Sequence, residues 1–128
     1  MARPRPRGKA PGGKAPAPES LPKALLAAET AEAKRAEDVL VLDLRQQTLV
    51  TDYFVLCTAT SRVQIRAVAD AIAEALKGNQ TRGVREGAET GQWILLDYGD
   101  VVVHVFGPET RAFYRLERLW ADAPVVDR

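Results

Sequence analysis

Trp93-Ile94-Leu95-Leu96-Asp97-Tyr98-Gly99-Asp100-Val101-Val102-Val103-His104-Val105-Phe106 reads as a β-hairpin. Two runs rich in β-branched, aromatic and aliphatic residues flank Asp-Tyr-Gly-Asp, and Gly99 can take the positive φ that a tight reversal demands. Strands over 93–97 and 101–106 are therefore expected to pair antiparallel. Side chains alternate along a strand, so Trp93, Leu95 and Asp97 share one face while Ile94 and Leu96 share the other. Both faces stay apolar until the turn. One must meet a core, and the other needs a cover as well: a helix of this chain, a second copy of it, or a different protein.

Upstream, Val39–Leu44 (VLVLDL) is a nearly continuous apolar run that fits a strand buried on both faces. Arg45–Thr48 makes a polar connection to Asp52–Thr58 (DYFVLCT), a second strand expected beside the first. Ser61 and Gln64 have the spacing of a capping box, in which the serine accepts from the amide three residues on and the glutamine reaches back. Ile65, Val68, Ala69, Ile72 and Leu76 then recur at three- and four-residue steps as the apolar stripe of a helix that Gly78 and Asn79 end. Thr81–Val84 fits a short edge strand before a loop over 85–91.

Ser20 suits the cap of an earlier helix, with Pro22 in its first turn and good helix formers to about Ala36. Its apolar side, Leu21, Leu25 and Ala28, is narrow and soon mostly alanine, which predicts a place on the rim of the core. Beyond the hairpin, Pro108 opens a third helix to about Ala121, lined by Phe113, Leu116, Leu119 and Trp120. Pro124 is read as closing the ordered domain, leaving 123–128 flexible. The order predicts an α/β fold, a small mixed β-sheet of four to five strands with three helices, over residues 20–122.

The chain has 128 residues and a formal net charge of +1, unevenly placed. Residues 1–19 hold five basic groups (Arg3, Arg5, Arg7, Lys9, Lys14) and one acid, with no aliphatic side chain larger than alanine after Met1. Such a segment cannot bury enough surface to offset chain entropy, so it reads as a disordered basic tail, either an arm for RNA phosphates or a solubilising extension. Without it the body is mildly acidic, which argues against a domain that grips nucleic acid with its whole surface. Cys57 is the single cysteine. It excludes an internal disulfide and reads as a small buried hydrophobe. No apolar run approaches a membrane span or signal-peptide core, so a cytoplasmic protein is expected.

Catalytic readings find little support. Asp97, Asp100 and His104 invite a metal or acid–base interpretation, yet turn aspartates commonly bind their own backbone amides and a closed metal site wants three or four ligands. No phosphate-binding loop or dinucleotide fingerprint is present, and Ser61 lacks the glycines of a nucleophile elbow. Neither a metal nor a cofactor is expected.

Three stretches stand out: DYFVLCTATS (52–61), the hairpin, and RAFYRLERLW (111–120). Together they resemble the ribosomal silencing factor or Iojap family, over about residues 20–122. Asp52-Tyr53-Phe54, Trp93, Asp97-Tyr98-Gly99-Asp100, His104, Tyr114, Leu116, Glu117, Leu119 and Trp120 carry the likeness, while Ala59 stands where the family usually has glycine. The resemblance implies a non-enzymatic, homodimer-forming factor with a nucleotidyltransferase-like fold lacking the catalytic carboxylates. It would bind the large ribosomal subunit through ribosomal protein fourteen at the intersubunit face and block subunit joining, repressing translation under starvation.

The residues read alone agree with a docking role. An aromatic and a leucine beside carboxylates provide desolvated area and select a basic partner. Trp93, Leu95, Asp97, Tyr98, Gly99 and Asp100 are the expected contact centre, with His104 and Tyr114 nearby; Trp93 and Tyr98 could equally serve the core or a dimer interface. The alternatives are a nucleotidyltransferase-like enzyme and an RNA-binding homodimeric module that uses the tail.

Overall fold

The computed structural model describes residues 19–79, 81, 83–86 and 92–128. The basic arm over 1–18 and most of the 85–91 loop lie outside them. The elements are α1 (Ser20–Ala33), β1 (Glu37–Asp43), β2 (Tyr53–Thr58), α2 (Arg62–Ala75), β3 (Gly83–Glu86), β4 (Trp93–Asp97), β5 (Val101–Phe106), α3 (Pro108–Tyr114) and α4 (Leu116–Leu119). The five strands form one mixed sheet in the order β1-β2-β5-β4-β3. The β4–β5 hairpin is antiparallel, with Trp93 opposite Phe106 and Asp97 opposite Val102. Gly99 has φ +89° at its turn, as expected. β2 runs parallel to β5, which is what makes the sheet mixed.

Strand alternation separates two apolar layers. Val41, Tyr53, Val55, Cys57, Ile94, Leu96, Val101, Val103 and Val105 pack under α1 and α2. Leu42, Leu44, Leu56 and Phe106 face the other way, with Trp120 and Leu116 packed on them. The apolar stripe expected for α2 is buried from Ile65 to Leu76. Burial pushes the Cys57 thiol up to about 12, which keeps it a protonated packing residue.

Helix α1 is not on the rim. Ala24, Ala27, Ala28 and Ala31 are fully buried, because side chains this small let its backbone approach α2 and the sheet closely. Ser20 lies inside the helix, where its hydroxyl donates to Asp52 Oδ2 at 2.8 Å, and Glu19 occupies the cap position with no side-chain cap bond.

The start of α2 follows the capping pattern with one change. Ser61 Oγ accepts from the Gln64 amide at 3.1 Å, but Gln64 Oε1 accepts from the Thr60 amide at 2.9 Å, one residue earlier than a standard capping box. The Gln64 side-chain amide then donates to the Lys34 and Arg35 carbonyls, joining the end of α1 to the start of α2. Ser61→Ala is expected to lower stability by about 1 kcal/mol, seen as a melting temperature several degrees lower; an unchanged melt would mean that the cap contributes nothing.

The single helix expected over 108–121 is two short ones. Arg115 adopts the left-handed conformation (φ 49°) between α3 and α4, redirecting the chain so that Leu116 and Trp120 reach the sheet while Leu119 stays exposed. Nor does the chain leave the domain at Pro124. The Asp43 amide donates to the Pro124 carbonyl, the Val126 amide to the Val41 carbonyl, and Arg128 makes two hydrogen bonds to Glu32. The C-terminal segment thus lies along the outer edge of β1, with Leu42 and Val125 bridged antiparallel. The predicted edge strand is present but starts later, at Gly83 rather than Thr81.

Candidate functional site

The sheet face opposite α1 and α2 is covered unevenly. Over β1 and β2 it is closed by Leu116, Trp120 and Ala123. Over β5 and β4 an open groove of about 540 Å³ remains, bounded by Thr51, Phe54, Leu95, Asp97, Val102, His104 and Trp120, with Thr48 and Val50 beside them. Register explains the gathering. Leu95 pairs with His104 and Asp97 with Val102 across the hairpin, and Phe54 pairs with Val102 across the parallel pair, so all five project from the same side. Leu49 and Val50, in the connection from β1 to β2, extend the apolar surface and are 93% and 79% exposed.

Five rings line this face. Trp93, His104 and Phe106 are nearly parallel, with centroids 5.6–6.2 Å apart, and Phe54 meets His104 edge-on at 4.7 Å. Trp120 in turn stands edge-on to Phe54 at 6.0 Å. The Trp93 indole N–H donates to His104 Nδ1 at 3.4 Å. An indole nitrogen can only donate, so Nδ1 carries no proton and the neutral imidazole holds its proton on Nε2. Burial pulls the imidazole down to about 4, with the Asp97 carboxylate opposing as the smaller effect, so the ring is neutral at pH 7.

The expected contact residues divide. Trp93, Leu95, Asp97 and His104 share the groove face. Tyr98 is buried in the core layer under α1 and α2. Asp100 turns towards α1, where both its oxygens accept from Lys23 Nζ at 2.9 and 3.0 Å. Gly99 makes the reversal between them, its amide donating to Asp97 Oδ1 at 2.8 Å. Tyr114 ends α3, and its side chain lies outside the described residues. Sequence reasoning missed Phe54, Val102 and the Leu49-Val50-Thr51 connection. Two aliphatic residues inside an otherwise polar link, Leu49 and Val50, were the available signal.

This division also separates Asp100 from Asp97 and His104. Asp97 and His104 are on one side of the sheet and Asp100 is ion-paired on the other, and no group of three or more potential ligands occurs among the described residues. A larger groove of about 790 Å³ lies beside α3, but its walls mix Glu37 and Glu117 with Arg115 and Arg118. Its buried cation, Arg111, is engaged by the Asp38 carbonyl, Thr58 and Glu117, so this groove selects no ligand charge. No helix among the described residues is long and apolar enough to cross a membrane.

Comparison with known proteins gives a consistent result. The family model described as ribosomal silencing factor during starvation matches residues 17–128. The ribosomal silencing factor of Bacillus subtilis is 44% identical over 103 residues, which are 80% of this chain and 87% of that one. The chloroplastic Iojap protein of maize is 34% identical, over 85% of this chain and 48% of its own. A crystal structure of a protein from Chromobacterium violaceum superposes with a TM-score of 0.75 at 36% identity, covering 81% of this chain and 88% of that one. Sequence and fold agree: the chain belongs to the ribosomal silencing factor (RsfS) family.

Proposed function

We propose that this protein acts in the cytoplasm as a non-enzymatic translation repressor. It binds the large ribosomal subunit through ribosomal protein fourteen at the intersubunit face and keeps the small subunit from joining by occupying its place. The observation that carries this reading is the half-covered sheet face. A strip of Leu95, Val102 and Phe54, flanked by Leu49 and Val50, remains open to solvent on an otherwise well-packed domain, with the Asp97 carboxylate at its margin. An apolar strip edged by an acid suits a basic ribosomal protein: the apolar area supplies affinity and the carboxylate selects the partner. The same strip is available to a second copy of the chain when no ribosome is bound, which makes a homodimer the resting state. The basic arm adds a salt-sensitive contact to ribosomal RNA.

The test is co-sedimentation with purified large subunits, followed by the yield of joined ribosomes when small subunits are added. The wild type is expected to sediment with large subunits and to lower that yield. Leu95→Asp places a charge in the centre of the strip and should weaken binding by about tenfold or more while the free protein stays folded. A folded Leu95→Asp protein that binds as tightly as wild type removes this face from the interface. Binding with no effect on joining keeps the partner and rejects the mechanism.

A further inference from the structure

Two buried polar atoms in the wall of the groove have no hydrogen-bond partner among the described residues: His104 Nε2 and the Thr51 hydroxyl. His104 is 4% exposed and Thr51 5%, so bulk water does not satisfy either atom. An unmet buried donor normally destabilises a fold, and most such groups are paired. Here both unmet groups belong to residues that line one groove, and the nitrogen must be an N–H, because Nδ1 is taken by the Trp93 indole. What the groove lacks is therefore an acceptor. Asp97, at the margin, supplies the opposite requirement, a carboxylate facing a place where a cation can sit.

We propose that the groove takes an extended segment of the ribosomal partner protein that presents an uncharged acceptor, a main-chain carbonyl or side-chain amide, to His104 Nε2 and Thr51, with a lysine or arginine beside it for Asp97. This rests on the reading above, that a ribosomal protein covers this face. It makes Thr51 and His104 specificity determinants rather than packing residues. A purely apolar segment leaves both atoms unmet, and an acidic one meets Asp97. Because both atoms are sealed in the free protein, the groove wall must part slightly as the segment enters.

The experiment titrates purified large subunits with wild type, Thr51→Val, Thr51→Ser, His104→Gln and His104→Leu, and melts each protein alone. Thr51→Val removes an unsatisfied hydroxyl at constant volume, so the free protein should melt no lower than wild type. Its binding should nonetheless weaken by about fivefold, while Thr51→Ser, which keeps the hydroxyl, binds as wild type. His104→Gln, which keeps an N–H near the Nε2 position, should bind more tightly than His104→Leu. Equal binding within each pair overturns the inference and leaves the ribosomal reading standing. Failure of the wild type itself to sediment removes the ribosomal reading, and this inference with it.

Discussion

Replacing Arg111 with alanine should lower stability by roughly 3 kcal/mol, a melting temperature about 10 °C or more below wild type. Its guanidinium is the one buried cation of the described residues, 8% exposed, and it joins three elements. Nη1 donates to the Asp38 carbonyl at 2.6 Å and to the Thr58 hydroxyl at 2.9 Å, while Nε donates to Glu117 at 3.0 Å. Asp38 is where β1 loses register with β2, and it holds φ at 51°, a left-handed conformation that is uncommon outside glycine and that aspartate tolerates better than most residues. Without the arginine, the carbonyl and hydroxyl lose their donor, a carboxylate loses its ion pair and a cavity opens beside α3. Arg111→Lys should recover only part of the loss, since an ammonium cannot hold three acceptors in one plane. Thermal denaturation of the three proteins decides it: an alanine variant melting within about 2 °C of wild type would show that the network contributes little.

The second large effect is on acid stability. His104 is the sole histidine, so its titration is separable from any other of its kind. Its folded-state value, near 4, lies below the ordinary 6.5, so between those limits the unfolded chain binds the proton and the folded chain resists it. The stability that the neutral ring provides is therefore complete above about pH 6.5 and falls away as the pH drops towards 4. The full loss is on the order of 3 kcal/mol. Melting wild type and His104→Phe from pH 7.5 to 4 isolates this contribution, because the carboxylates are common to both. Wild type should lose stability steadily relative to His104→Phe as pH falls through this window; parallel curves would mean that His104 titrates normally in the fold.

Features written in local periodicity were legible in the sequence. The hairpin followed from alternation around Gly99, and α2 from its stripe and the Ser61 cap, because those signals lie within a few residues of the structures they specify. What sequence could not show was decided by tertiary contact. The alanine face of α1 carries almost no hydrophobic contrast, yet it is buried because small side chains permit close approach. The break at Arg115 has no glycine to announce it; the left-handed turn exists because Leu116 and Trp120 reach the sheet only if the helix axis changes. At the site, alternation placed Trp93, Leu95 and Asp97 together correctly. It could not show that Asp100, three residues beyond Asp97, is drawn to the opposite side by Lys23, or that Phe54 joins the groove through a parallel pairing with β5.

That pairing bears on how the chain is made. β2 has β5 as its neighbour, and α2, β3 and β4 are all synthesised between them. A nascent chain that has reached Thr58 can pack α1 on one face of the β1–β2 ribbon, but the other face and the edge of β2 that β5 will occupy stay bare. The sheet closes after Phe106 has emerged, and the outer edge of β1 is sealed only once Val126 and Arg128 are free to dock. At an elongation rate of about 5–20 residues per second, this leaves an interval of seconds in which an unpaired ribbon stands at the surface of a translating particle. A factor whose family silences ribosomes is thus itself exposed to misassembly during its own synthesis, and the docking of Val126 and Arg128 along β1 and α1 ends the exposure.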